Sequence, residues 1–208
     1  MAQKLKDEVR QAIIDAAKQE FLEKGYKNAS MRSIAKKANM TVGNLYRYFK
    51  SKEDINLYIV VPTYKMIDAT IKSLTQNKVS METRVFNVKP NIKELENILD
   101  ELSDRLVDIY TKNKVEFNIL MIHSKLNEEI TSWFAEMINS LISQSFLLNE
   151  LSVEKQILSN AYAQAIFEGV KYLFKENESD AKQLKSLLKT YLRSFLYMLD
   201  NDLGKIGG

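Results

Sequence analysis

Along most of the chain, apolar residues recur every three or four positions, the spacing of one face of an α-helix. Val9, Ile13, Ala17 and Phe21 draw one stripe and predict a first helix over about 5–24, with Gly25 as its stop. Ile34 and Ala35 form the inward side of a short helix over about 31–38. Leu45 and Phe49 do the same for one over about 42–49, and with Phe21 and Ile34 they are the expected core of a small domain. Ser30 and Thr41 stand where N-caps are expected, and Ala38-Asn39-Met40 reads as the turn between the two short helices. Ser51 with Asp54 resembles a capping box that opens a fourth helix, which runs through Pro62, kinked but continuous, to about Thr75.

From 77 to 90 helical periodicity fails, and the segment reads as a loop. A further helix is predicted from its cap at Asn91 and Glu94 through apolar positions as far as Tyr110, and others over about 114–125, 128–147, 153–175 and 179–202, so the expected fold is all-α with about nine helices. The expected division is a three-helix head over 1–52 and a larger helical part over 53–208. In the eighth helix Ala161, Ala165 and Gly169 form a stripe of small residues that admits a close neighbour. In the ninth, apolar residues that include Leu184, Leu188, Tyr191 and Phe195 cover well over half the circumference. A helix so apolar needs cover on two sides, and a second copy of the chain is the economical partner.

Charge changes this picture. The chain carries +3 overall, but residues 1–52 hold twelve Lys/Arg against five Asp/Glu, a net +7, which leaves −4 for the remainder. A basic quarter on a mildly acidic body is the electrostatic footprint of a nucleic-acid reader. There is no Cys, which fits a reducing compartment. No leader-like apolar segment follows the charged start, and no run is long enough to span a membrane, so a cytoplasmic protein is expected. No Gly-rich phosphate loop, His-Glu-x-x-His or Gly-x-Ser-x-Gly is present, so no enzyme is expected. His123 is the single histidine; no metal site and no cofactor are expected.

Ser30-Met31-Arg32-Ser33-Ile34-Ala35, the turn at Asn39-Met40-Thr41 and Gly43-Asn44-Leu45-Tyr46-Arg47-Tyr48-Phe49-Lys50-Ser51-Lys52, preceded by Gly25-Tyr26, together resemble the helix-turn-helix domain of TetR-family transcriptional regulators. The main departure is Asn39, where the family usually has Gly; Asn also reaches the left-handed region. The resemblance implies a third helix that enters the major groove of double-stranded DNA. Val42, Gly43 and Asn44 then lie closest to the bases, and Arg47 meets either guanine or phosphate. Thr41, Tyr46 and Tyr48 reach phosphates. Lys52, with the first amides of the fourth helix, matches a phosphate clamp, and Ser30 and Arg32 contact the DNA from the second helix.

The resemblance further implies a homodimer paired through the last two helices and a small-molecule effector bound among the central ones. Tyr110, Phe117, Met121, His123, Trp133, Phe134, Met137 and Phe167 are the candidates to line such a pocket, although plain core is the first reading of any one of them. The function implied is a repressor released from a palindromic operator by its effector. The alternative is an architectural or adaptor DNA-binding protein with the same head and no effector.

Overall fold

The computed structural model describes residues 2–78, 92–122, 128, 131, 132, 135, 153–176 and 180–205. The fold is all-helical, with eight helices among the described residues: α1 (Ala2–Asn28), α2 (Met31–Lys37), α3 (Val42–Tyr46), α4 (Lys52–Lys78), α5 (Ile92–Lys112), α6 (Lys114–Ile122), α7 (Val153–Glu176) and α8 (Ala181–Lys205). The expected loop over 77–90 lies outside the described residues from 79 onward. So does most of the expected helix over 128–147, of which only Glu128, Thr131, Ser132 and Ala135 are described, all helical. α4 is continuous through Pro62, as expected from its periodicity.

The chain divides into two compact units. One, the head, is Met1–Met66 with Asn113–Leu126; the other, the body, is Ile67–Lys112 with Asn127–Gly208.

In the head, Ile13, Ala17 and Phe21 of α1 are buried, and Ile14 and Ala16 widen the stripe read from the sequence. α1 packs against α2 and α6. Ile34 and Ala35 of α2, Leu45 of α3, Phe49, and Ile55, Ile59 and Val60 of α4 complete the core, with Phe117, Ile119 and Leu120 of α6. The four residues expected to form this core, Phe21, Ile34, Leu45 and Phe49, are all in it. Gly25 breaks the regular course of α1 with φ 73° and ψ 159°, a conformation open to glycine but not to a residue with a Cβ. The expected helix stop is therefore there, and one more short turn carries the chain to Asn28.

In the body, α5 is amphipathic and buries Ile98, Leu99, Leu102, Leu106 and Tyr110. It packs against α8, which in turn packs on α7. Asp180 caps α8, its Oδ1 accepting from the amides of Lys182 (2.8 Å) and Gln183 (3.1 Å). Leu184, Leu188, Leu192 and Leu196, one residue in four, are the buried row of α8.

Beside that row runs a second one, polar and equally regular. Lys185 pairs with Asp108 (2.7 Å), Lys189 with Asp104 (2.8 Å), Arg193 with Asp100, and the Tyr197 hydroxyl with Glu96. Residue numbers rise by four on α8 as they fall by four on α5, so the two helices run antiparallel with one rung per turn. The hydrogen bond from Lys185 holds the Asp108 carboxyl below its ordinary range, aided by the charges of Lys185 and Lys112 and opposed by burial. The bond to Asp100 raises Arg193 in the same way, against a smaller effect of burial.

Candidate nucleic-acid interface

The start of α2 is held by its own two serines. Ser30 Oγ accepts from the Ser33 amide (3.1 Å), and Ser33 Oγ accepts from the Ser30 amide (3.1 Å), a reciprocal capping box. At its other end the Met40 amide donates to Ala35 O (3.0 Å) and the Asn39 amide to Lys36 O (3.2 Å). That is a Schellman ending, which needs its next-to-last residue in the left-handed region. Asn39 supplies it with φ 52°, and among the described residues no other non-glycine has positive φ. The expectation that asparagine replaces glycine here without loss of the turn is met.

The chain then enters α3 through Thr41, whose Oγ1 accepts from the Asn44 amide (3.2 Å). α3 spans five residues, shorter than the eight expected, because its last turn tightens. The amides of Arg47 and Tyr48 reach back three residues, to Asn44 O and Leu45 O. Such a helix has no stability of its own. It is anchored by Leu45, which is 0% exposed. Everything else on it faces outward: Thr41, Gly43, Tyr46 and Arg47 are exposed, and Val42, Asn44 and Tyr48 are half-buried. A Cβ placed on Gly43 would meet nothing within 4 Å, so the fold itself does not require glycine there.

Ser30 and Arg32 of α2 share an open depression with Thr41 and Val42 of α3, whose rim includes Lys24, Lys36 and Asn39. The two lysines were not singled out from the sequence; their place on the rim depends on how α1 and α2 pack. At α4, Ser51 Oγ accepts from the Asp54 amide (3.0 Å) as expected of a capping box. In return Asp54 Oδ2 accepts from the Lys50 amide (3.0 Å), one residue before the cap. Lys52 is half-buried, and its ammonium is directed inward to the backbone of residues 26–29.

One further residue of the head escaped sequence reading. Glu20 of α1 is 0% exposed and sits between Lys24 (2.7 Å) and Lys37 of α2 (3.7 Å). Burial pushes its carboxyl up. Hydrogen bonds from Lys24 and Ser33 and the charges of Lys24 and Lys37 outweigh that, and the net shift is downward from 4.5. Lys37 also pairs with Glu23 (2.6 Å), which ties α1 to α2 at a second point. On the opposite side of α1, Lys18 pairs with Glu116 of α6 (2.6 Å).

The pocket candidates separate. Phe117, fully buried, and Met121, half-buried, belong to the head; Tyr110 and Phe167, both buried, belong to the body. Tyr110 packs at a tilt against Phe174 (ring centroids 5.0 Å) and donates to its carbonyl, so it is used by the core. His123, Trp133, Phe134 and Met137 lie outside the described residues. Of the pairing candidates, Leu184 and Leu188 are 1% and 0% exposed within this one chain, enclosed where α8 meets its neighbours. Tyr191 of α8 lies over Gly169 so closely that any Cβ there would collide with its ring, and its hydroxyl donates to Ala165 O (2.9 Å). Part of the small-residue stripe is thus covered by the chain's own tyrosine, which packs edge-on against Phe195. Ala161 and Ala165 remain exposed, beside exposed Ile157 and Leu158. Among the described residues no group of three acidic, His or Cys side chains is placed to hold a metal ion, and no helix is long and apolar enough to cross a membrane.

A capped pair of short helices around a left-handed turn, packed on an apolar core within a basic segment and followed by further helices, defines a helix-turn-helix protein. Residues 13–59, which contain the two capped helices and the turn between them, match the family of bacterial regulatory proteins, tetR family. An HTH-type transcriptional regulator of Staphylococcus aureus (strain bovine RF122) is 43% identical over 53 residues, 26% of this chain and 29% of that protein. A counterpart from strain USA300 matches to the same extent. The matched stretch is thus under a third of the length of these relatives.

Beyond the head the likeness is one of fold. A TetR-like transcriptional regulator from Rhodococcus sp. RHA1 superposes with a TM-score of 0.55 at 15% identity, covering 88% of this chain and 92% of that one. The TetR-family regulator PfmR from Thermus thermophilus gives 0.50 at 14% identity, covering 87% and 97%.

Proposed function

We propose that the chain is a DNA-binding transcriptional regulator that works as a homodimer in the cytoplasm. It is a repressor released from a palindromic operator by a small-molecule effector, and it carries out no bond chemistry. One observation carries this reading. Around the single buried side chain of α3, Leu45, the exposed surface is small, polar or cationic, and it sits in the +7 segment of a chain otherwise acidic.

In this reading Val42, Gly43 and Asn44 approach base edges, and Arg47 meets guanine or phosphate. Ser30, Arg32, Thr41, Tyr46 and Tyr48 hold the backbone. The openness around Gly43 supports it, since nothing within the protein accounts for a glycine there. Pairing uses the exposed apolar residues of α7, among them Ile157, Leu158 and Ala161, together with the outer side of α8. The effector site belongs to the body.

Selection of bound sequences from random duplex DNA tests the proposal. A recovered site with two-fold symmetry and half-sites about one helical turn apart is expected. Recovery of no symmetric site, from protein that sediments as a folded species, would overturn it.

A further inference from the structure

We propose that Lys36 of α2 is a further ligand of the DNA backbone, and that Lys24, the other lysine on the same rim, is not. The inference rests on the DNA-binding reading above and extends its set of contacts by one residue.

The lysines of this part of the head differ in what lies beside them. Lys24 donates to buried Glu20 at 2.7 Å. Lys37 donates to Glu23 at 2.6 Å and lies 3.7 Å from the second carboxyl oxygen of Glu20. Two lysines and two carboxylates thus close a neutral cluster between α1 and α2. Lys36 is next to Lys37 in sequence, but successive side chains of a helix point about 100° apart. It is exposed, and among the described residues no carboxylate pairs with it. Its charge is therefore not neutralised within the described part of the chain.

The surroundings of Lys36 say what would neutralise it. It lines the open depression of about 860 Å³ shared by α2 and α3, one helical turn beyond Arg32. Like charges at that spacing repel. Ser30 and Thr41 bring hydroxyl groups to the same surface, and no Asp or Glu lines it. A concave surface of cations and hydroxyls without an acid suits an anion. Thr41 and Val42, at the end of α3 that approaches the bases in the reading above, form part of the same lining, so the anion within reach is a phosphate of the duplex. Lys24 cannot serve in the same way. To reach a phosphate it would leave Glu20, and a carboxylate that is 0% exposed would lose its nearest cation.

The test uses the full chain and a duplex recovered by the selection described above, with affinity measured between about 50 and 200 mM salt. Lys36→Met removes a charge from an exposed position and leaves the buried cluster intact. The slope of log affinity against log salt is expected to become shallower by about 0.9 for each head bound. Affinity is expected to fall about fivefold per head near physiological salt, the share of one released counterion, and to approach that of the parent as salt rises. Lys36→Arg keeps the charge and is expected to keep the parent slope. Lys24→Met is expected to keep it too. All the variants are expected to select the same sequence, because a phosphate contact carries no sequence information.

A parent-like slope for Lys36→Met would overturn the proposal. So would a shallower slope for Lys36→Arg, or one for Lys24→Met that equals that of Lys36→Met. Should Lys24→Met fold poorly, the Nζ signals of the unmodified, 15N-labelled protein decide. The Lys36 signal is expected to move on addition of the duplex and the Lys24 signal to stay; any shift of Lys24, or none of Lys36, overturns the assignment. A parent that retains no duplex would overturn the DNA-binding reading and this proposal with it. A parent that binds with a steep slope, unaltered in Lys36→Met, overturns the proposal alone.

Discussion

Glu20→Gln offers the sharpest test of how the head is held together. The substitution keeps the shape of the side chain and removes its charge. Removing one member of a fully buried pair costs about 3–5 kcal/mol when the other charge is left stranded in the interior. Here nothing is stranded: the side chain of Lys24 is 48% exposed and that of Lys37 26%, so both stay hydrated. The loss is then closer to that of a charge-assisted hydrogen bond, and screening by water reduces it to about 1–2 kcal/mol. For a chain of this size that is a fall in melting temperature of about 2–8 °C at neutral pH.

The pH dependence gives a second handle. The folded carboxyl of Glu20 titrates below its ordinary 4.5. Its contribution is therefore fully present above the unfolded value and is lost as pH falls through the folded one. Melts of the protein and its Glu20→Gln variant, followed by circular dichroism from pH 7 down to pH 3, are expected to converge below about 4.5. Other carboxylates titrate in the same range, but they do so in both proteins and cancel in the difference. A variant as stable as the parent at pH 7, or a gap that widens on acidification, would refute the assignment of Glu20 as a charged link between α1 and α2.

Asn39→Gly is expected to leave the melting temperature within about 2 °C, whereas Asn39→Val costs about 1–2 kcal/mol, because a β-branched residue is strained at φ 52°; thermal melts of both check this. A double-mutant cycle on Asp100→Ala and Arg193→Ala is expected to give a coupling of about 0.5–1 kcal/mol by urea unfolding. The value is small because the Arg193 side chain is 40% exposed, and a coupling of zero would mean that the rung contributes nothing to stability.

The parts of the head governed by local rules were legible in the sequence. The caps at Ser30 and Thr41, the left-handed Asn39 and the break at Gly25 each depend on residues within a few positions. Continuity of α4 through Pro62 was legible because its apolar spacing does not lose phase there. The length of α3 was not, since its last turn tightens after Leu45, which is pinned in the core of the whole head. Glu20 was invisible for a related reason: it looks like any surface carboxylate until α2 brings Lys37 beside it.

The rungs of the body were half visible. Glu96, Asp100, Asp104 and Asp108 share a spacing of four with Lys185, Lys189 and Arg193. Only the antiparallel neighbourhood of α5 and α8 reveals that they meet. Leu184 and Leu188 show the same limit from the other side. An apolar residue on a crowded helix says that it will be covered, not by which chain.

That regular ladder behaves as a rack. Any rotation of α8 about its own axis would pull every rung apart at once and expose the leucine row beside it. A slide along α5 by one turn, about 5–6 Å, is a different matter. Lys185 would meet Asp104, Lys189 Asp100 and Arg193 Glu96, leaving only Asp108 and Tyr197 without partners. Lys185 already reaches Asp104 at 4.0 Å as well as Asp108. The leucines would shift from one pocket to the next in step. Spacing of this kind makes twist expensive but does not by itself fix the register along α5; the seat of Tyr191 over Gly169 and its bond to Ala165 O do that from the other side of α8.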